Sequence, residues 1–119
     1  MPVVKTGPLR LGGYAIKLRR VVNAVLREKY KSGEINSKTV NKQLSDINAV
    51  IYNVIVEKYQ IPKDAIINIV LDFDVVEGRI KVNSIEVELY EKIEIISRNA
   101  SQEILKLITK EEVLPPSSP

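Results

Sequence analysis

"AIINIVLDFDVVEGRIKVNSIEVELYEK", residues 65–92, holds two stretches of alternating apolar and polar residues on either side of Glu77-Gly78. A pair of the form X-Gly between two such stretches predicts a tight turn, and therefore a β-hairpin. Pairing the strands outward from this turn places Val75 opposite Ile80 and Phe73 opposite Val82. One face of the hairpin is then apolar, which is the pattern of a strand pair that covers a core.

The second strand loses its alternation at Asn83-Ser84, and a β-bulge at this point restores it. Three further apolar pairs then follow on the same face: Leu71–Ile85, Ile69–Val87 and Ile67–Leu89. The pairs predicted on the other face are Asp74–Lys81, Asp72–Asn83 and Val70–Glu86. Because the apolar pairs agree before and after the bulge, the register of the hairpin is well specified.

Two helices are predicted before the hairpin. The first spans Tyr14–Lys31, where apolar residues fall on one arc and basic residues on the opposite arc. Ser32-Gly33 ends this helix, because glycine suits the left-handed residue that closes a helix. The second helix spans Lys38–Tyr59, with Asn36 or Ser37 as its N-cap.

The second half of the second helix, "AVIYNVIVEKY", is apolar on more than one face. A single sheet cannot cover all of this surface, so the helix is predicted to be central or to lie at a subunit interface. We therefore predict a homodimer or higher homo-oligomer. The residues predicted at its interface are Ile51, Tyr52, Val54, Ile55 and Val56.

The two ends of the chain complete the predicted fold. Residues 3–11 form a short edge strand or arm, because Pro8 cannot donate a ladder hydrogen bond. The second hairpin strand continues through Ile93 and Ile95, and a short helix over Ala100–Lys110 follows. Residues 1–112 are therefore one α+β domain in the order β-α-α-β-β-α, and residues 113–119 are a disordered tail.

Composition excludes several classes of function. The 119 residues contain no Cys and no His, which removes thiol nucleophiles, imidazole bases and the commonest zinc ligands. No segment resembles a signal peptide or a membrane span, so a soluble cytoplasmic protein is expected, with no membrane partner. Scarce Met and Gln are typical of heat-adapted proteins.

Charge is distributed unevenly along the chain. Residues 1–31 hold eight basic residues and one acid, Glu28, whereas the rest of the chain holds ten basic and fourteen acidic residues. Five of the basic residues share the outer face of the first helix, here named the basic arc: Lys17, Arg19, Arg20, Arg27 and Lys31. Three interpretations remain open: nucleic-acid contact, an ordinary solvated face, or docking on an acidic protein surface.

A catalytic site is not predicted. Asp72, Asp74, Glu86 and Glu88 could bind Mg²⁺, but the predicted register spreads them along an exposed face, which favours solvated surface. The glycines near the N-terminus lack the spacing of a phosphate-binding loop. We therefore expect no catalytic residues, no cofactor and no metal ion.

Three parts of the chain form a recognisable pattern: "VEKYQIPKDAI", "EGRI" and the start of the first helix. The residues that belong to the pattern near that helix are Thr6, Gly7, Gly13, Tyr14, Ala15, Lys17, Leu18, Arg19, Arg20 and Arg27. In these parts the chain resembles a family of small archaeal proteins that is similar to ThermoDBP and the ThermoDBP-related proteins. The resemblance covers roughly residues 5–92 and implies an oligomer that binds single-stranded DNA. Members with a long C-terminal zipper differ from this chain, whose final helix is predicted to be short.

The sequence and the resemblance together predict a non-catalytic protein that binds single-stranded nucleic acid, with DNA favoured over RNA. The basic arc would hold phosphates, Lys5 and Arg10 on the N-terminal arm would extend the binding surface, and Tyr14, Ile16 or Tyr30 would contact bases. The alternative is an oligomeric scaffold or interaction subunit whose basic arc docks on an acidic protein partner.

Overall fold

The computed structural model describes residues 2–91 and 94–111. Their element order is the predicted one, with the N-terminal strand divided in two and the first helix interrupted. The strands are β1 (Val3–Lys5), β2 (Leu9–Arg10), β3 (Ile66–Val76) and β4 (Arg79–Tyr90). The helices are α1 (Tyr14–Val25), α2 (Arg27–Ser32), α3 (Ser37–Tyr52) and α4 (Glu94–Glu111), and a π-helical segment, Asn53–Lys58, extends α3. Leu11–Gly13 form a 3₁₀ turn before α1.

The hairpin has the predicted register. Glu77 and Gly78 both have positive φ angles, 52° and 76°, which is the type I′ geometry that matches the twist of the flanking strands. All five apolar pairs are confirmed, and the bulge falls where the alternation slips. One polar pair is wrong, because the bulge leaves Asp72 opposite Ser84 rather than Asn83.

The N-terminal strand lies at a sheet edge, as predicted. β1 and β2 both pair antiparallel with β3, on the side opposite β4. Gly7, with φ 74°, and Pro8 separate the two short strands. The buried Thr6 hydroxyl accepts a hydrogen bond from the Ile69 N–H at 3.0 Å, which holds the interruption against β3.

The helices cover one face of the sheet, with α1 over β1 and α3 contacting both α1 and β4. The inner side chains of β3 are completely buried beneath them: Ile67, Ile69, Leu71 and Phe73. The Asn36 side chain accepts hydrogen bonds from the Lys38 and Thr39 N–H groups, which confirms Asn36 as the N-cap of α3. The predicted first helix is interrupted at the buried Leu26, so its last turns form the separate helix α2.

The C-terminal part of the fold differs from the prediction. β4 ends at Tyr90, opposite Ile66, the first residue of β3, so a longer strand would have no neighbour to pair with. Ile93 lies outside the described residues, but Ile95 is helical. The final helix begins at Glu94 rather than Ala100 and has 18 residues, so the prediction of a short helix is wrong. The predicted tail also lies outside the described residues.

Helix α4 projects from the domain. Its exposed large apolar residues are Ile96, Ile104, Leu105, Leu107 and Ile108. The described residues measure 69 Å along their longest axis and 20 Å along their shortest. No helix among them is long and apolar enough to cross a membrane.

Candidate nucleic-acid interface

The basic arc spans two helices. Lys17, Arg19 and Arg20 lie on α1, whereas Arg27 and Lys31 lie on α2, beyond the break at Leu26. Four of the five side chains are exposed and Lys17 is half-buried. The arc is not free of acids, because the Lys31 Nζ atom lies 4.0 Å from a Glu28 carboxylate oxygen. It nevertheless keeps a strong positive charge in solvent.

Two of the three residues predicted to contact bases, Tyr14 and Tyr30, have side chains that are buried or half-buried within the fold. Tyr14 is buried, and its hydroxyl donates to the Asn48 carbonyl oxygen at 2.8 Å, so its predicted role is wrong. Burial, and then Tyr52, raise the pKa of Tyr14. Tyr30 is half-buried, and its hydroxyl donates to the Asn23 side chain across the helix break. Burial raises the pKa of Tyr30 as well. Ile16 remains 65% exposed.

The N-terminal arm does not extend the basic arc. Val4, opposite Leu71, is buried beneath the helices, so its neighbour Lys5 lies on the outer face of the sheet. Arg10, opposite Ile66, follows the same alternation. Hydrogen bonds from Asn68 and then Tyr90 lower the pKa of Glu88 on the outer face, and the charge of Lys5 adds a smaller effect in the same direction. The predicted grouping of Lys5 and Arg10 with the basic arc is therefore wrong.

Three acidic residues of the outer face, Asp72, Asp74 and Glu88, accept hydrogen bonds from neighbouring amides. Asn83 donates to Asp72 at 3.4 Å and to Asp74 at 3.0 Å. Asn68 donates to Glu88 at 2.9 Å, and this hydrogen bond is the main cause of the lowered pKa of Glu88. Within the described residues, no group of three or more acidic side chains is placed to hold a metal ion.

An apolar groove lies between α3 and β4. The helices completely cover the inner side chains of β3 from Ile67 to Phe73, but three apolar side chains of β4 remain open to solvent: Val82, Ile85 and Leu89 are each about 41–42% exposed. The groove has a volume of about 380 Å³. It is lined by Ile47, Val50, Ile51, Val54, Ile55, Leu71, Val82, Ile85 and Val87. A wholly apolar, open groove of this kind is typical of a binding site.

Gln43 fixes one end of this groove. Its side-chain amide donates to the Ile80 carbonyl oxygen at 2.9 Å and accepts from the Ile80 N–H at 3.0 Å. These two bonds hold α3 to β4 beside the hairpin turn. A polar depression lies at the same place, lined by Lys38, Thr39, Lys42, Gln43, Asp46 and Arg79, and is here named the hairpin-tip depression.

The groove explains the doubly apolar second half of the second helix. Ile51 and Ile55 are buried within the protomer and Val56 is half-buried against its core, so these three do not require a second subunit. Val54 lines the groove, and Tyr52 is 42% exposed. The apolar surface that predicted an interface is therefore divided between the core and the groove.

Sequence reasoning predicted the apolar face of β4 but not the groove. Alternation shows which side chains share a face of the sheet. It does not show how much of that face α3 covers, and the groove is the part of the β4 face that α3 leaves uncovered. The hairpin-tip depression was also missed, because Lys42 and Arg79 are distant along the chain and come together only through the Gln43–Ile80 contact.

Comparisons with known proteins agree with this architecture. Residues 4–81, more than half of the chain, match the family described as ThermoDBP-related, archaea. The crystal structure of apeThermo-DBP-RP2 bound to the single-stranded DNA dT10 is similar, with a TM-score of 0.81 and 28% sequence identity. That similarity covers 95% of this chain and 53% of the other, so this chain spans about half the length of that relative.

A second solved structure is similar along almost its whole length. The crystal structure of pfuThermo-DBP-RP1 has a TM-score of 0.66 and 25% sequence identity, and the similarity covers 99% of this chain and 97% of the other. A search of the curated proteins gave no match.

Proposed function

This chain belongs to the ThermoDBP-related family of archaea, and from that premise we propose that it binds single-stranded DNA without catalysing a reaction. The similarity to a relative whose crystal structure contains dT10 supports the choice of ligand. The groove lining supports the absence of catalysis, because its nine side chains include no acid, base or nucleophile. Such a protein would act in the cytoplasm.

The observation that carries the proposal is the open apolar groove between α3 and β4. The flat faces of unpaired bases are apolar enough to enter such a groove. The bases of a duplex are already stacked and paired in the interior of the double helix, so they cannot enter it. Groove side chains such as Val54 and Ile85 present no hydrogen-bonding group to a base edge. We therefore expect binding with little preference for base sequence.

The basic arc has a supporting role in this proposal. Its exposed cations attract the strand before contact and hold phosphates that lie outside the groove. Ile16, exposed beside these cations, offers apolar surface to a base that leaves the groove. An acidic protein partner for the basic arc is the alternative that the binding experiment below tests.

We further propose that the protein is a homodimer or a higher homo-oligomer, with α4 packed on a second copy. Successive turns of α4 place Ile96, Ile104, Leu107 and Ile108 on one side, and all four are exposed in the protomer. Helices in proteins are stabilised mainly by packing of an apolar face, so the exposed apolar side of α4 favours a partner. Tyr52 is a second candidate contact.

Titration of the protein with labelled dT10, rU10 and a ten-base-pair duplex at two salt concentrations tests the proposed function. We expect tighter binding of dT10 than of duplex, and a log–log salt slope of about −0.7 per phosphate held. If none of the three oligonucleotides binds at about 50 mM salt, where electrostatic attraction is strong, the DNA-binding proposal is wrong. A pull-down with the intact protein would then test for an acidic protein partner.

A further inference from the structure

The hairpin-tip depression has the chemistry of an anion site. Its volume is about 400 Å³, and its lining includes three cations, Lys38, Lys42 and Arg79, against one carboxylate, Asp46. The Lys42 ammonium forms an ion pair with Asp46 at 3.0 Å. Within the described residues, Lys38 and Arg79 form no salt bridge, so two positive charges remain available to a ligand.

The hairpin-tip depression and the apolar groove are neighbours along both elements that form them. Gln43 lines the depression, and Ile47, one turn further along α3, lines the groove. Arg79 lines the depression, and Val82 on the same strand lines the groove. A DNA strand that lay in the groove would therefore reach the depression at the hairpin end.

The basic arc is not placed in this way. α1 packs on the opposite flank of α3, where the Asn23 and Asn41 side chains are hydrogen-bonded at 3.0 Å and Tyr14 contacts Asn48. A helix with its side chains is about 10–12 Å across, so the width of α3 separates α1 from the groove. A cation that holds the phosphate next to a base in the groove must lie nearer to the groove than the width of a helix.

We propose that Lys38 and Arg79 in the hairpin-tip depression hold a backbone phosphate of the strand whose bases occupy the groove. This inference rests on the proposed function. The planar guanidinium of Arg79 can donate two parallel hydrogen bonds to phosphate oxygens, and the Lys38 ammonium adds a second charge. The Asp46 carboxylate holds Lys42 at the edge of the depression.

A consequence is that the DNA-binding surface formed by the groove and the depression is charged at one end only. No charged residue lines the groove itself. A phosphate site at one end therefore fixes where the backbone lies relative to the bases, and one particular phosphate of a short oligonucleotide should matter more than the others.

The test combines a protein variant with a neutral phosphate. In dT10, each phosphate in turn is replaced by an uncharged methylphosphonate, and the affinity is measured for the wild-type protein and for Lys38→Ala/Arg79→Ala. We expect one position at which the replacement weakens wild-type binding by about tenfold, the loss of a charge-assisted hydrogen bond. At that position the replacement should have little effect on the double variant, because its phosphate partner is already absent.

Arg98→Ala/Lys106→Ala is the matched control, since it removes one Arg and one Lys from exposed positions on α4. This control should keep the wild-type dependence on the methylphosphonate position. If wild-type protein binds dT10 and no position shows an effect that depends on Lys38 and Arg79, the phosphate site is wrong while the proposed function stands. If wild-type protein does not bind dT10, the proposed function itself fails.

Discussion

Ile85 provides a sharp test of the apolar groove. It lies on β4 after the bulge, lines the groove together with Val54 and Ile55 of the π-helical segment, and is 42% exposed. If bases enter the groove, they cover this exposed part of the side chain. Replacing Ile85 with Ala should therefore weaken DNA binding through lost apolar contact alone.

The size of the effect follows from the exposed fraction of Ile85. The substitution removes three carbons, and each contributes about 0.8 kcal/mol when it is completely withdrawn from water. Because 42% of the side chain is exposed before binding, the DNA can bury about two-fifths of it, which corresponds to about 1 kcal/mol. The dissociation constant for dT10 should rise about fivefold.

The salt dependence separates this effect from a loss of charge contacts. Ile85 holds no phosphate, so the log–log slope of affinity against salt should equal that of the wild-type protein. Glu86→Ala is the matched control, since Glu86 is the next residue of β4 and lies on the opposite face of the sheet, opposite Val70. Thermal unfolding of both variants shows whether the fold is retained.

An equal response of the two variants would refute the reasoning. If Ile85→Ala and Glu86→Ala change the affinity for dT10 by the same factor, or if neither changes it, the bases do not lie in the groove. A shallower salt slope for Ile85→Ala would also contradict the assignment, since it would mean that a phosphate contact had been lost.

Three further predictions concern charge, stability and pH. Arg20→Ala/Arg27→Ala should make the salt slope of dT10 binding shallower by about 1.4 if each residue holds one phosphate, and an unchanged slope would remove the basic arc from the interface. Asn48→Leu should raise the melting temperature in thermal unfolding by several degrees. Both side-chain polar atoms of Asn48 are buried without a hydrogen-bond partner in the described residues, which costs about 1–3 kcal/mol of stability. A lower melting temperature would show that these atoms have partners. The affinity for dT10 should stay constant between about pH 5.5 and 7, because the chain has no His, the side chain that ordinarily titrates in that range; fluorescence titration at several pH values checks this, and a step near pH 6.5 would contradict it.

The hairpin could be predicted because its signals are local. Alternation, the Glu77-Gly78 turn and the slip at Asn83-Ser84 all lie within 28 residues, and each constrains the same register. The N-cap could be predicted as Asn36 or Ser37 for the same reason, because the partners of an N-cap are the next few N–H groups of the chain, and Asn36 is the one that caps α3.

The C-terminal helix could not be predicted in the same way. The apolar residues Ile93, Ile95 and Ile96 fit an extended strand as well as the start of a helix. The choice is made by β3, which begins at Ile66 and leaves nothing for a strand beyond Tyr90 to pair with. That information lies about 25 residues away along the chain, outside the window that a periodicity argument uses.

The basic arc shows a similar limit for the site. Its charges all lie between Lys17 and Lys31, so the sequence displays them clearly, whereas Lys38 and Arg79 become neighbours only when Gln43 is bonded to Ile80. A base and its own phosphate are joined through one sugar, so the cations that matter most to a bound base are those at its groove. Cations beyond α3 act over a longer distance and are more strongly screened by salt. Arg20→Ala/Arg27→Ala should therefore keep the wild-type response to a methylphosphonate at each position of dT10, whereas Lys38→Ala/Arg79→Ala should lose its response at one position alone. Position-dependent coupling to the basic arc would reverse these assignments and place the bound bases beside α1.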